Sequence, residues 1–197
     1  MVLSEASGMG CGDENTKQMA TRSVKKLENL ILDQPSKLQK DVSYNLHPEG
    51  IASLTFAVMA LKSAMLADIE TNKKVFPKLK KICLLYASPK NSSEICAGIL
   101  LCLLYLGYER SDPVLSALSD KIIANLPRNL DTGFNELYLY WGALGIFQLG
   151  GQPWTKWNGV INPFVMNRFI TKGPDKGSVN PDGKYGVNGA GGPSGFS

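Results

Sequence analysis

Apolar residues recur along this chain in two alternating patterns. In the first, one stripe is apolar and the opposite face is polar. Between Thr16 and Gln34, Ala20, Val24, Leu27, Leu30 and Ile31 fall at steps of three and four, and Lys17, Arg22, Lys25, Lys26 and Glu28 fill the other face. The stretch 73–87 repeats this with Val75, Phe76, Leu79, Ile82, Cys83 and Tyr86 against Lys73, Lys74, Lys78, Lys80 and Lys81. The stretch 112–126 does so with Leu115, Leu118, Ile122 and Leu126 opposite Ser116, Ser119, Asp120 and Lys121. Such spacing predicts helices that bury one stripe and wet the other. A fourth stretch, 154–171, is less regular, and Pro163 is expected to break or restart it with Asn162 as a cap.

The second pattern is apolar on nearly every side. It covers 49–67, 94–106 and 136–149 and predicts buried helices. Each stretch is shorter or more polar than the roughly 20 apolar residues of a membrane span. Proline and glycine clusters separate the segments. Pro48 and Pro113 suit the first turn of a helix, and Asn91 with Glu94 three residues on has the spacing of a cap and its partner. Glu49, Glu94 and Glu136 open the three apolar stretches, where a carboxylate complements the helix N-terminal charge.

Wet-faced and buried segments thus alternate in units of about 40–50 residues. A plain bundle would make every helix amphipathic. A double layer, with outer helices facing water and inner helices packed on them around a central space, accounts for the alternation. The fold expected is all-α: a partial α/α toroid of about seven helices, with alternating outer amphipathic and inner apolar helices. Residues 1–15 are expected as a flexible N-terminus, 16–172 as the helical repeat domain and 173–197 as an irregular glycine-rich tail.

Composition narrows the classes. The chain has 197 residues, 44% apolar and 19% charged, which fits one folded domain and excludes a disordered chain. A net charge of +4 is too mild to imply a nucleic-acid partner. The lysines at 73–81 read as a solvated face, with contact to acidic lipid or nucleic acid as the alternative. The N-terminus lacks the basic start and apolar run of a signal peptide, so a cytoplasmic location is expected. Cys11, Cys83, Cys96 and Cys102 include no C-x-x-C pair, and the last three sit in apolar stretches as small buried hydrophobes.

The segment from Tyr138 through Trp141, Phe147-Gln148-Leu149-Gly150-Gly151, Trp154 and Trp157-Asn158 resembles the bacterial prenyltransferase and squalene-oxidase repeat proteins. These are relatives of the squalene–hopene cyclase toroid. Ala97-Gly98, Leu106-Gly107-Tyr108 and Asp112-Pro113 resemble the preceding hairpin of that family, and Lys176-Gly177-Ser178-Val179-Asn180-Pro181 resembles a following turn. The likeness covers roughly residues 92–182. It implies a terpenoid cyclase/protein prenyltransferase type of fold and an aromatic cavity for an isoprenoid.

The departures bear on activity. Cyclases of this type use an Asp-x-Asp-Asp acid motif, and related enzymes hold magnesium diphosphate with Asp-Asp-x-x-Asp; neither occurs. Asp68-Ile69-Glu70 is the nearest acid pair in an inner-helix context, at the end of that helix. The fold's protein prenyltransferases bind zinc through Asp, Cys and His, but the one histidine, His47, has no cysteine near it in sequence. No metal or other cofactor is therefore expected. Val179 stands where the family's turn has tryptophan. Ser178-x-Asn180-x-Asp182-Gly183 only partly matches a calcium loop.

The candidate ligand-binding residues are Tyr138, Tyr140, Trp141 and Phe147, with Glu94 and Glu136 as acids facing the cavity. Aromatic faces stabilise cations; ordinary helix packing and helix-start electrostatics are the competing explanations. Gln148, Gly150, Gly151, Trp154 and Trp157 are assigned to holding the last hairpin together. A non-catalytic toroid module acting in binding or assembly is the reading adopted. It would complete its ring with another protein chain or a second copy of itself. The alternative is an isoprenoid- or triterpenoid-handling enzyme with a divergent or partner-supplied acid.

Overall fold

The segment Ile95–Leu103 has no polar face, and each of its residues is buried in the structure, a computed structural model that describes residues 1–9, 13–33, 48–127 and 136–178. Among these residues the regular elements are all α-helices. They are α1 (Val2–Gly8), α2 (Glu14–Asp33), α3 (Pro48–Leu66), α4 (Val75–Leu85), α5 (Ser93–Tyr105), α6 (Pro113–Ala124), α7 (Glu136–Leu149) and α8 (Gly151–Met166).

Their packing follows the alternation in the sequence. α5 lies between α3 and α7, and it also touches α4 and α6. Four helical neighbours leave it no face for water, which is why it is apolar all round. The amphipathic helices pair on the flanks: α2 packs on α3 and α4, and α8 packs on α6 and α7. Each buries most of its apolar stripe, for example Ala20, Val24 and Ile31 of α2, or Leu115, Leu118 and Ile122 of α6; Leu30 instead is exposed, and Glu28 and Ser119, expected on the wet faces, are buried.

Helix boundaries follow local chemistry. Asp112 caps α6 by accepting from Val114 N at 2.9 Å, with Pro113 in the first turn. Ser92, not Asn91, caps α5: its side chain accepts from Ile95 N, while Asn91 Nδ2 donates to Tyr86 O at 2.8 Å and ties down the end of α4. α7 turns directly into α8 at Gly150 (φ 71°, ψ −157°) and Gly151 (φ 57°). The first of these backbone conformations is essentially open only to glycine.

The structure adds detail at several points of the sequence pattern. The segment 1–15, expected to be flexible, carries α1, which packs on α2 and α3. Pro163 does not break α8, which runs on to Met166. Gly159, whose carbonyl loses its amide partner, has open space around it and is exposed, so water can satisfy it. At Gly98 of α5, Ile51 and Thr55 of α3 and Trp141 of α7 pack close against the helix. The start of the expected irregular tail is also ordered: Ile170 N donates to Ser178 O at 2.9 Å and Gly177 N to Ile170 O at 2.8 Å, closing a loop.

Candidate functional site

The three apolar helices run in the same direction. Ile51 and Thr55 of α3, Gly98 of α5 and Trp141 of α7 meet near their N-terminal ends. Leu66, Tyr105 and Gln148 come together near their C-terminal ends. The two halves of this row differ in side-chain size.

At Gly98 the helices touch. A Cβ there would lie 2.8 Å from Ile51 Cγ2 and Thr55 Oγ1 and 3.3 Å from the Trp141 ring. Only glycine permits this approach. Phe56 of α3 sets its edge on Trp141, with ring centroids 6.0 Å apart at 66°. Trp141 is fully buried. Thr55 satisfies its own buried hydroxyl by donating to Ile51 O at 2.8 Å.

Farther along, larger side chains of the three helices surround an opening. A cleft of about 600 Å³ opens between Met59, Lys62 and Leu66 of α3, Tyr105 at the end of α5, and Tyr140 and Leu144 of α7. That volume suits a small-molecule site. α1 forms one wall: Glu5 accepts from Ser63 Oγ at 3.2 Å, and Gly8 lies against Ala67. Burial pushes the Tyr105 phenol up, and a hydrogen bond with the Gln148 side chain opposes the shift. The lining is mostly apolar, and Glu5 is the acidic side chain at its edge.

The expected aromatic set is not brought together. Of Tyr138, Tyr140, Trp141 and Phe147, only Tyr140 lines the cleft. Tyr138 lies in the core, edge-on to Trp157 at 5.5 Å, and donates its hydroxyl to Ile122 O at 3.1 Å. Burial, and to a lesser degree the Glu94 carboxylate, pushes its phenol well above the usual range. Phe147 is 62% exposed and stacks edge-on with Trp154 at 5.1 Å, outside the cleft. The reason is helical geometry: at about 100° per residue, Tyr138 and Tyr140 point nearly opposite ways. Glu94 and Glu136 occupy the first turns of α5 and α7, at the end of the row away from the cleft.

The hairpin residues divide. Gly150 and Gly151 form the α7–α8 turn, and Trp157 fills the space a side chain would need at Gly142, with Cη2, Cζ3 and Cζ2 of its ring nearest. Gln148 instead lines the cleft and donates to Leu144 O at 3.4 Å. Sequence reasoning missed the cleft's α1 and α3 walls. The signal available was the four-residue step of Tyr140, Leu144 and Gln148, which an all-apolar helix masks.

The other candidates are dispersed. Asp68 and Glu70 are exposed beyond the end of α3, and Asp68 has φ 53°. His47 and the residues from Val179 onward, including the calcium-like pattern, lie outside the described residues. Among the described residues no cluster of three His, Cys, Asp or Glu side chains could hold a metal ion, and no helix is long and apolar enough to cross a membrane. Cys83, Cys96 and Cys102 are free and buried. Burial raises Cys96 to about 11, and Cys83 is pushed up by its hydrogen bond with Cys102 and by burial.

No protein-family model, curated protein or solved structure matches this chain. The chemistry of the cleft is accordingly read from its own residues.

Proposed function

We propose that this chain is a non-catalytic helical module, a segment of an α/α toroid, that works by binding an apolar partner in the cleft between α1, α3, α5 and α7. The observation that carries this reading is the cleft itself: ligand-sized, largely apolar, and edged among the described residues by one carboxylate, Glu5, that is exposed and hydrogen-bonded to Ser63. Chemistry on a carbocation needs an acid and aromatic faces converging on one space. Here Tyr138, Trp141 and Phe147 point elsewhere. The alternation of all-apolar and amphipathic helices supports the toroid reading. So does the parallel run of α3, α5 and α7.

The alternative, an isoprenoid-handling enzyme, draws on Tyr105, Tyr140 and Glu5 sharing the cleft. Incubation of the full chain with a fluorescent isoprenoid diphosphate and with squalene separates the two. Saturable binding with both compounds recovered unchanged is the expected result. Conversion to product establishes the enzymatic alternative, and absence of binding together with a monomer at micromolar concentration overturns both.

A further inference from the structure

Charge is unevenly placed along this chain. Six lysines and no acidic residue lie between Glu70 and Glu94, more positive charge than the +4 of the whole chain, so the remainder is net negative. Two of the six serve the fold. Lys78 Nζ donates at 2.8 Å to Leu32 O in the last turn of α2, where the helix dipole favours a cation. Lys80 Nζ stands 4.2 Å from the centroid of the Tyr108 ring.

The other four do not. Lys73, Lys74, Lys81 and Lys90 are exposed, and no carboxylate among the described residues pairs with them. Within α4, Pro77, Lys81 and Leu84 recur at steps of four and three along exposed positions, so they share one face, and Lys73 and Lys74 lie in the turn that leads into its start. Leu84 and Leu85 are 44% and 56% exposed at the C-terminal end of that face. α2 lies alongside, its Glu28 accepting from Asn72 N, and Lys25 and Lys26 one turn earlier are exposed as well.

We propose that this face of α4 binds the surface of an anionic lipid membrane. The lysines meet the charged headgroups, and Leu84 and Leu85 enter the boundary of the acyl region. Two features favour lipid over a polynucleotide. Two adjacent exposed leucines gain nothing from a phosphate backbone. α4 also carries no arginine for bidentate phosphate contact and no exposed aromatic ring for base stacking.

Vesicle flotation of the full chain tests this. The chain is expected to float with vesicles of phosphatidylcholine containing phosphatidylserine and not with phosphatidylcholine alone, and added salt is expected to release it. Lys73→Glu, Lys74→Glu and Lys81→Glu together weaken binding by at least about fivefold per lysine. Leu84→Ser with Leu85→Ser weakens it at unchanged charge. All five side chains are exposed, and an unchanged circular dichroism spectrum verifies that the variants fold. Equal flotation with both vesicle types, no flotation, or indifference to the lysine changes overturns the proposal. Tighter binding to a DNA duplex at the same ionic strength, unaffected by the leucine changes, overturns it in favour of a polynucleotide.

Discussion

The two ends of the α3–α5–α7 row are built from the same kind of helix yet do opposite things. At the Gly98 end, α3 and α7 meet over α5, and Phe56 and Trp141 fill the seam. At the Tyr105 end, the same two helices stand apart around a cleft of about 600 Å³. Helical propensity and overall hydrophobicity do not distinguish the ends. The α5 residue facing the seam differs: Gly98 allows Ile51, Thr55 and Trp141 to approach, and Tyr105 lines the cleft. Packing detail, not patterning, decides where the cleft opens.

That contrast breaks most visibly at Trp141. Trp141→Ala removes the largest fully buried side chain of the closed end and is expected to cost about 3–5 kcal/mol, read as a lower denaturation midpoint in urea. Gly98→Ala comes next. Its methyl would meet Ile51, Thr55 and Trp141 at once, and an overpacking cost of about 1–3 kcal/mol is expected. The same change should spread α3 from α7, so apolar probe uptake by the cleft should rise while stability falls.

A pH effect at the closed end is smaller. Burial holds Cys96 at about 11 against an ordinary 9.0. Between those values the folded state keeps a proton that the unfolded chain has released. Stability is therefore present in full below about pH 9 and falls as pH rises toward about 11. Buried Cys83 and Tyr138 shift in the same direction. Urea titrations across that window check the sign, and Cys96→Ala should shallow the decline. At the open end, Leu144→Trp fills space that packing does not use and should change stability by no more than about 0.5 kcal/mol.

The sequence pattern located seven of the described helices to within a few residues, because each carried either a stripe or a continuous apolar run. It missed α1, whose seven residues are too short to show a period. Of the three stretches expected to be buried on nearly every side, only α5 is so along Ile95–Leu103, while α3 exposes Phe56, Met65 and Leu66 and α7 exposes Tyr140 and Phe147. An amphipathic helix announces its buried face by contrast with its polar one. α7 offers little contrast, so Tyr138 and Tyr140 looked alike in the sequence and proved to sit on different faces. Trp157 was legible as a hairpin residue from the aromatic segment, whereas its packing against Gly142 was not. The α1 and α3 walls of the cleft carried no such mark, since Met59, Lys62 and Leu66 belong to a pattern that packing alone resolves.

The most direct test is a titration of wild type, Leu144→Trp and Phe147→Ser with an apolar fluorescent probe. Leu144 lines the cleft, and Phe147 is exposed outside it on the same helix. Saturable uptake lost in Leu144→Trp and retained in Phe147→Ser is the result expected. Uptake that survives Leu144→Trp, or that disappears with Phe147→Ser, would contradict the assignment of binding to the open end of the row.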